Sequence, residues 1–313
     1  MCLYYKPLPF QTGLDNVEDI LVIINGEHRW RTAGVVRAHL SSLPHAPITY
    51  ILFWRRKKVQ KFTNKTVIVT GASMGIGYET ALAFANAGAN VVLAARSAER
   101  LRQIAAANPR FLAVPTDVTR DDDVRRLVET TLATFGRVDI LVNNAGFGIR
   151  ATVENTAFED AHRLMEVNFF GALRCIQAVL PHMKKQGRGQ IVNVGSVLSL
   201  LATPRNSIYC ASKFALRALS DALRIELRDS GIDVILIMPG YTDTPFFENQ
   251  VRYGGPVRVG PIKGVHPRTV ARAILRACAR RKREVVLTLP GKFGAFLKRW
   301  FPRFLDWTLS RVP

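Results

Sequence analysis

The sequence predicts an α/β fold, a doubly wound parallel sheet with helices on both faces, built as a single domain. Three observations predict it. From about residue 65 onward, short β-branched runs alternate with segments of helical spacing, the pattern of a parallel sheet joined by crossover helices. The first run passes directly into a glycine-rich turn, Thr70-Gly71-Ala72-Ser73-Met74-Gly75-Ile76-Gly77, and a helical segment follows. Hydrophobic residues make up 48% of the 313 and charged residues 22%, a globular balance that supports a large buried core.

Taken in order, residues 66–70 are β-branched, short and bounded by Gly71, which predicts a buried strand. Residues 76–86 have helical spacing and are closed by Gly88. A second strand over 90–94 and a second helix over 98–107 follow, then a strand over 111–114, a helix over 122–135 and a strand over 139–142. One long helix is expected over 158–185, with the next strand over 190–194. A helix over 209–229 ends near Gly231, and a strand over 233–238 succeeds it. A helix over 267–279 and a strand over 284–288 complete the series. Residues 1–63 do not fit the alternation and form an N-terminal extension. Within it, 19–24 suits a strand, and the apolar run 48–54 is followed by Arg55, Arg56, Lys57 and Lys58. Seven apolar residues are too few to span a bilayer. The chain thus divides into 1–63, an α/β domain over 64–290, and a tail over 291–313.

The net charge is +20, and it is uneven. Residues 256–313 hold 14 Lys/Arg against two acids, whereas the long middle of the chain is nearly neutral. A basic terminus attracts polyanions. No nucleic-acid-binding motif accompanies the charge, so nucleic acid is not an expected partner. The four cysteines, Cys2, Cys175, Cys210 and Cys278, form no CxxC pair. Neither a disulfide framework nor a zinc site is indicated, and a reducing compartment is the simplest reading. The six histidines have no metal-ligand spacing, so no metal is expected. With no run of 18 apolar residues and no signal-peptide pattern, a cytoplasmic chain is expected, peripheral on a membrane if its tail binds one.

The glycine turn suits a phosphate. Gly71, Gly75 and Gly77 permit a tight turn and close backbone approach, Ser73 and Ile76 lie within it, and the helix N-terminus offers free N–H groups. This is the turn of a Rossmann-like, dinucleotide-binding sheet. Cofactors lacking a 2′-phosphate are held by an acid after the second strand. Here that strand ends Leu93-Ala94-Ala95-Arg96-Ser97, with no acid. Arg96 suits a 2′-phosphate, because a guanidinium donates several hydrogen bonds to phosphate oxygens. NADP(H) is therefore expected ahead of NAD(H).

Tyr209-Cys210-Ala211-Ser212-Lys213 places Tyr209 and Lys213 four apart, on one helical face. A neighbouring ammonium favours tyrosinate, so the spacing predicts a lowered Tyr209 pKa and a proton-transfer residue. Thirteen residues before Tyr209 stands Ser196, just after a predicted strand, where side chains face the cofactor crevice. Asn143-Asn144-Ala145-Gly146, Asn168 and Pro239-Gly240-Tyr241-Thr242-Asp243-Thr244 complete the set. Together, and in this order, these motifs resemble those of the short-chain dehydrogenase/reductase family over about residues 64–290. The resemblance implies an oxidoreductase that interconverts a carbonyl and an alcohol, with a tetrad of Asn168, Ser196, Tyr209 and Lys213. It implies that Tyr209 is the acid/base, that Ser196 steadies the reacting oxygen, and that Lys213 holds the nicotinamide ribose. It further implies a water-linked relay at Asn168, a cofactor cleft lined by Asn144 and Gly146, adenine beside Asp117, and the nicotinamide end beside Thr244. The Ala-Arg-Ser ending of the second strand looks like that of NADP-using members. Two departures are Met74, where many of those carry a basic residue, and Gly195, where a serine is frequent.

The segment after Thr244 carries Phe246, Phe247 and Tyr253. These aromatics either line a pocket for an apolar, lipid-, steroid- or retinoid-like substrate or pack the lid itself. In the tail, Phe293, Phe296, Leu297, Trp300, Phe301 and Phe304 recur at helical spacing, interleaved with Lys292, Lys298, Arg299, Arg303 and Arg311. Such a face suits a membrane interface, the protein's own core or a second copy of the chain. Pro302 is expected to break or kink that helix. Expected partners are a small carbonyl or alcohol, a membrane surface through 291–313, and a second copy in a homo-oligomer. The alternative function is a membrane-tethered scaffold that senses the cofactor with little turnover.

Overall fold

The sheet is built from β1 (Thr66–Thr70), β2 (Asn90–Ala95), β3 (Phe111–Pro115), β4 (Ile140–Asn143), β6 (Gly189–Val194), β7 (Ile232–Met238) and β9 (Glu284–Val286). Two short strands, β5 (Ile149–Arg150) and β8 (Val251–Arg252), pair separately. The large sheet has seven strands in the order β3-β2-β1-β4-β6-β7-β9, and every pair in it is parallel. The computed structural model describes residues 62–253 and 264–311. The strand expected over 19–24, the apolar run 48–54 and the basic residues after it lie outside the described residues.

Alternation within each strand divides the core in two, as a side-chain period of two requires. Val67 and Val69 of β1 face one side. There they meet Ala81 and Phe84 of α1 (Gly75–Ala85), Leu101 and Ile104 of α2 (Ala98–Ala106), and Val270 and Ile274 of α7 (Pro267–Arg280). Ile68 faces the other side. That layer holds Leu127 of α3 (Asp121–Phe135), Ile176 of α5 (Gly171–Gln186) and Leu223 of α6 (Ser207–Glu226). A sheet covered on both faces explains why the strands read as near-continuous apolar runs.

The helix expected over 158–185 is not continuous. α4 (Phe158–Met165) gives way to a π-helical turn, Glu166–Phe170, before α5 begins. The Gly171 N–H reaches back to the Glu166 carbonyl, the wider π spacing. Sequence periodicity does not reveal one inserted residue of this kind. The inserted turn carries Asn168. The tail also differs in detail. α8 (Leu289–Trp300) starts two residues before the tail boundary, and α9 (Pro302–Leu309) follows it. The break falls at Phe301, which caps the end of one helix and the start of the next, and Pro302 opens α9. Its missing N–H is harmless in a first helical turn.

At the amino ends of the strands, Asp139 joins β1 to β4. Its carboxylate accepts hydrogen bonds from the Thr66 backbone N–H at 3.0 Å, Lys65 Nζ at 3.0 Å and Arg137 Nε at 2.6 Å. Burial alone raises a carboxyl pKa, but these three donors outweigh it and hold Asp139 below its ordinary value. A depressed folded pKa gives stability that is complete above the unfolded pKa of about 3.9 and is lost as pH falls through the folded value. Asp139→Asn is therefore expected to cost about 2 kcal/mol at neutral pH. In urea melts the gap from wild type should narrow as pH falls below the unfolded value of about 3.9 and close as it passes the lower folded value. A gap that persists unchanged in acid would count against this account.

Candidate active site

Parallel strands put all their carboxyl ends on one edge, and the chain uses that edge. β1 leads into Gly71, β4 into Asn144, β6 into Ser196 and β7 into residues 239–244. The strand order reverses between β1 and β4, where such sheets open a crevice.

The glycine turn closes tightly on itself. Gly71 and Gly75 have φ of +64° and +56°, the left-handed region where glycine is favoured. A Cβ on Gly77 would stand 2.2 Å from the Gly71 carbonyl oxygen and 2.6 Å from Asn144 Nδ2. Gly75 lies against Thr244, its added Cβ 3.2 Å from Thr244 Cγ2. Thr70 and Asn144 brace the turn from beneath. Thr70 Oγ1 accepts from the N–H groups of Asn144 and Ala145, both at 3.0 Å, and Asn144 Nδ2 donates to the Thr70 carbonyl at 3.0 Å. α1 starts at Gly75 with no side-chain cap and no acid in its first turn. Its amide dipole ends are thus left for an anion. This glycine cradle, filled by any Cβ, fits the pyrophosphate of a dinucleotide.

At the next crossover, Ser97 caps α2, and Arg96 before it is exposed and in no ion pair among the described residues. Asp117 follows β3. One of its oxygens, Oδ1, is taken by the backbone and hydroxyl of Thr119 at 3.0 and 2.8 Å. Ser73 and Ile76 are half-buried in the glycine turn. Arg96 and Asp117 thus follow the carboxyl ends of β2 and β3, on the edge that also carries the glycine turn, and Thr244, after β7, packs against Gly75 of that turn.

Four further side chains meet at the other end. Ser196 is fixed between two strand ends, because the Gly195 N–H donates to Ile237 and the Val197 N–H to Pro239, both at 2.8 Å. Its Oγ accepts from the Leu198 N–H at 3.1 Å, and a hydrogen bond links it to the Tyr209 hydroxyl. Tyr209 and Lys213 stand in α6, with Lys213 Nζ 5.7 Å from the centre of the tyrosine ring. Lys213 is buried and donates to the Val194 carbonyl at 3.0 Å. Asn168 is buried as well. Its Oδ1 accepts from the Phe147 N–H, and its Nδ2 donates to the Phe147 carbonyl, both at 3.0 Å. A Cβ on Gly146 would come 3.0 Å from Asn168 Oδ1 and 3.8 Å from Lys213 Nζ. The structure thus draws Gly146, Asn168, Ser196, Tyr209 and Lys213 into one neighbourhood.

Burial dominates the charges here. It pushes the Lys213 ammonium down to about 8. It pushes the Tyr209 hydroxyl up, and the Ser196 hydrogen bond only partly opposes it. The Tyr209 shift therefore runs opposite to the lowering expected from the Tyr–Lys spacing. Desolvation of a phenolate inside the cleft is the largest cause, and the Ser196 hydrogen bond, not a field from Lys213, is what opposes it. At neutral pH Tyr209 carries its proton.

Sequence reasoning missed the polar framework beneath this centre. Asn143 Nδ2 donates to Asn193 Oδ1, and Asn193 Nδ2 donates to Ser220 Oγ, both at 2.9 Å. All three are buried, and they pin β4, β6 and α6 together. Two asparagines inside apolar strand runs were the available signal. Ser212 was missed too. It donates to the Tyr209 carbonyl at 2.7 Å and accepts from Asn168 Nδ2 at 3.2 Å.

Comparison with known proteins agrees with this geometry. Residues 65–253 match the family model for short chain dehydrogenases. A Drosophila melanogaster protein named dehydrogenase/reductase SDR family protein 7-like is 32% identical over 85% of this chain and 86% of its own length. An alcohol dehydrogenase from Thermococcus sibiricus, solved with 5-hydroxy-NADP, superposes with a TM-score of 0.63 at 30% identity, covering 71% of this chain and 95% of that one. A 3-ketoacyl-(acyl-carrier-protein) reductase from Brucella melitensis, solved with NADH, gives 0.66 at 28% identity, covering 72% and 97%.

Gly77→Ala tests the cradle. Its Cβ has no space against backbone, so affinity for a nicotinamide dinucleotide, read by fluorescence titration, should fall at least about tenfold. Wild-type affinity in this variant would remove the glycine turn from the cofactor site.

Proposed function

Given that this chain belongs to the short-chain dehydrogenase/reductase family, we propose that it is an NADP(H)-dependent oxidoreductase that interconverts a carbonyl and an alcohol on an apolar substrate. The observation that carries the reading is the convergence of Tyr209, Ser196, Lys213 and Asn168 at the carboxyl edge of the sheet, beside the glycine cradle. The nicotinamide, when bound, supplies hydride chemistry. The chain's own residues handle the oxygen and its proton. The substrate oxygen accepts hydrogen bonds from the Tyr209 and Ser196 hydroxyls. Tyr209 then donates its proton to that oxygen during reduction, or takes one during oxidation, as a general acid/base. Its raised pKa keeps it protonated at neutral pH, which favours the reductive direction. Lys213, held at the Val194 carbonyl, supplies positive charge beside the phenol and a donor for the cofactor ribose. Asn168, fixed in its π-helical turn, orders a water path toward Lys213.

Arg96, exposed and not ion-paired among the described residues, supports preference for a 2′-phosphate, and Asp117 flanks the adenine end. The lid supports an apolar substrate. Phe246 stacks edge-on against Tyr209 at 5.8 Å, and Phe247 packs on Phe246 and Tyr241 at 5.3 and 4.3 Å. Exposed Phe170 and Phe214 on the α5 and α6 side support self-association.

We extend the reading to a peripheral membrane surface at α8 and α9. Phe293, Phe296, Trp300, Phe301, Phe304 and Trp307 are 52–62% exposed, while Leu305 is buried and anchors the pair. Lys298, Arg299, Arg303 and Arg311 stand among them. Aromatics flanked by cations match an anionic bilayer interface. No helix among the described residues is long and apolar enough to cross a membrane.

Two measurements test these readings. Tyr209→Phe should lower kcat for NADPH-linked reduction of ketones or aldehydes by about 10²–10⁴-fold with cofactor affinity kept. An unchanged rate would sink the proposed role. For the tail, wild type should co-sediment with phosphatidylserine-containing vesicles and release in high salt. A variant combining Phe293→Ser, Trp300→Ser and Phe304→Ser should bind at least about tenfold more weakly. Equal sedimentation of both would exclude α8 and α9 as the contact.

A further inference from the structure

α8 leaves the sheet at the edge that carries the candidate active site. β9 lies next to β7, and the Leu287 N–H donates to the Met238 carbonyl at 3.1 Å, so the chain emerges beside the end of β7. Thr288 then caps α8 through its hydroxyl, which accepts from the Gly291 N–H at 3.3 Å. Glycines let the start of this helix close in on its neighbours. A Cβ on Gly240, just after β7, would stand 2.6 Å from Thr288 Cγ2. A Cβ on Gly291 would stand 2.5 Å from Val197 Cγ1, and one on Gly294 2.7 Å from Leu201 Cδ2. Val197 directly follows Ser196, and its N–H donates to the Pro239 carbonyl at 2.8 Å. The first turns of α8 therefore press on the segment that carries Ser196 and on the segment that follows β7.

A run of rings leads from Tyr209 to the same place. Phe246 lies edge-on to Tyr209, Phe247 packs on Phe246, and Tyr241 packs on Phe247, with centres 5.8, 5.3 and 4.3 Å apart in turn. Phe246 and Phe247 are half-buried and Tyr241 is exposed, so the run climbs from the buried tyrosine to the surface. None of these three rings belongs to either layer of the core. Tyr241 adjoins Gly240, the residue packed against the cap of α8. Beyond that cap come Leu289, Phe293, Phe296 and Trp300, each more than half exposed. Their spacing of four, three and four residues draws one stripe along the helix.

Cations border the stripe rather than interrupt it. Lys292, Arg299 and Arg303 form no ion pair among the described residues, whereas Lys298 is paired with Asp306 at 3.1 Å. Apolar rings edged by free positive charge complement a lipid surface with anionic headgroups. Such a surface also concentrates apolar molecules. Each methylene favours lipid over water by about fourfold, so ten of them favour it by about 10⁶-fold. A long-chain carbonyl compound is therefore scarce in water, and an enzyme edge set against lipid meets it where it is abundant.

We infer that the α8 stripe sets the mouth of the active-site cleft against the bilayer, and that the substrate is an uncharged long-chain carbonyl or alcohol drawn from the lipid past Tyr241, Phe247 and Phe246 to Tyr209. This inference rests on the oxidoreductase and membrane readings above. It joins them into one arrangement and narrows the substrate class to molecules dissolved in the bilayer.

The test uses the full chain, NADPH, and a pair of methyl ketones: water-soluble butanone and lipid-dissolved heptadecanone. Heptadecanone is supplied at one mole fraction in phosphatidylcholine vesicles and in vesicles that also contain phosphatidylglycerol, so its activity in the water phase is matched. Its kcat/KM, divided by that for butanone, should be at least about tenfold higher in the anionic vesicles. Combining Phe293→Ser, Trp300→Ser and Phe304→Ser should abolish that gain. Phe247→Ser should lower the ratio in anionic vesicles at least about tenfold while vesicle binding is kept. Tyr241→Ser, at an exposed position, serves if Phe247→Ser does not fold. Wild type that binds the anionic vesicles yet shows the same ratio in both overturns the lipid route, and a ratio unmoved by the ring variants overturns the rings as its path. If butanone is reduced but neither vesicle is bound, the membrane reading fails and the route with it. If the vesicles are bound but neither ketone is reduced, the oxidoreductase reading fails, the inference falls with it, and the membrane contact stands.

Discussion

The hydrogen bonds of Thr70 set the geometry on which the rest of the site depends. Thr70 closes β1, and its hydroxyl accepts from the first two amides after β4. It also donates to the Val142 carbonyl at 3.3 Å. One side chain therefore ties together the two strands between which the sheet order reverses. Parallel strands diverge at that reversal, and the crevice they leave is open to solvent unless something holds its walls at a fixed spacing. Asn144 completes the tie by bonding the glycine turn itself. A phosphate cradle needs backbone amides held still, because a flexible loop would lose ordering entropy on binding. Thr70 and Asn144 meet that cost during folding.

A second layer of polar contacts carries the same rigidity to the end where Ser196, Tyr209 and Lys213 meet. Asn143, Asn193 and Ser220 join two neighbouring strands to α6, the helix that bears Tyr209 and Lys213. Asn168 uses both ends of its amide on the Phe147 backbone and reaches Ser212 as well. An ordinary α-helical turn rotates by a fixed 100° per residue. The extra residue of the π turn shifts that phase, and with it the direction in which Asn168 projects. Each such bond fixes position, because a buried amide left unpaired is costly, and Asn143 Oδ1 is the one end of this framework without a hydrogen-bond partner among the described residues.

The sheet and its helices were legible in the sequence because their signals are local. Periods of two and 3.6 mark residues 66–70 and 76–86 without reference to anything distant, and Gly71, Gly75 and Gly77 mark a turn that only glycine tolerates. Spacing likewise brought Ser196, Tyr209 and Lys213 into one expectation, since the strand and helix that carry them are adjacent. What stayed hidden depends on contacts far apart in the chain or on competing magnitudes. The π turn at Asn168 leaves the apolar pattern of 158–185 nearly intact. The Tyr209 shift is set by desolvation, with the Ser196 hydrogen bond opposing it, and burial is not visible in a four-residue spacing.

The segment from Ser196 to Asn206 links these features mechanically. At one end it carries Ser196, held by a capping box with Ser199. In its middle it touches the tail, where a Cβ on Gly291 would lie 2.5 Å from Val197 Cγ1 and one on Gly294 2.7 Å from Leu201 Cδ2. Those glycines let α8 approach more closely than any other residue would. At its far end the segment bridges to β5 beside Arg205. Such tight packing transmits displacement, since a close-packed contact has little slack to absorb it. A displacement of α8 therefore acts on the same short stretch of chain that sets Ser196 beside Tyr209.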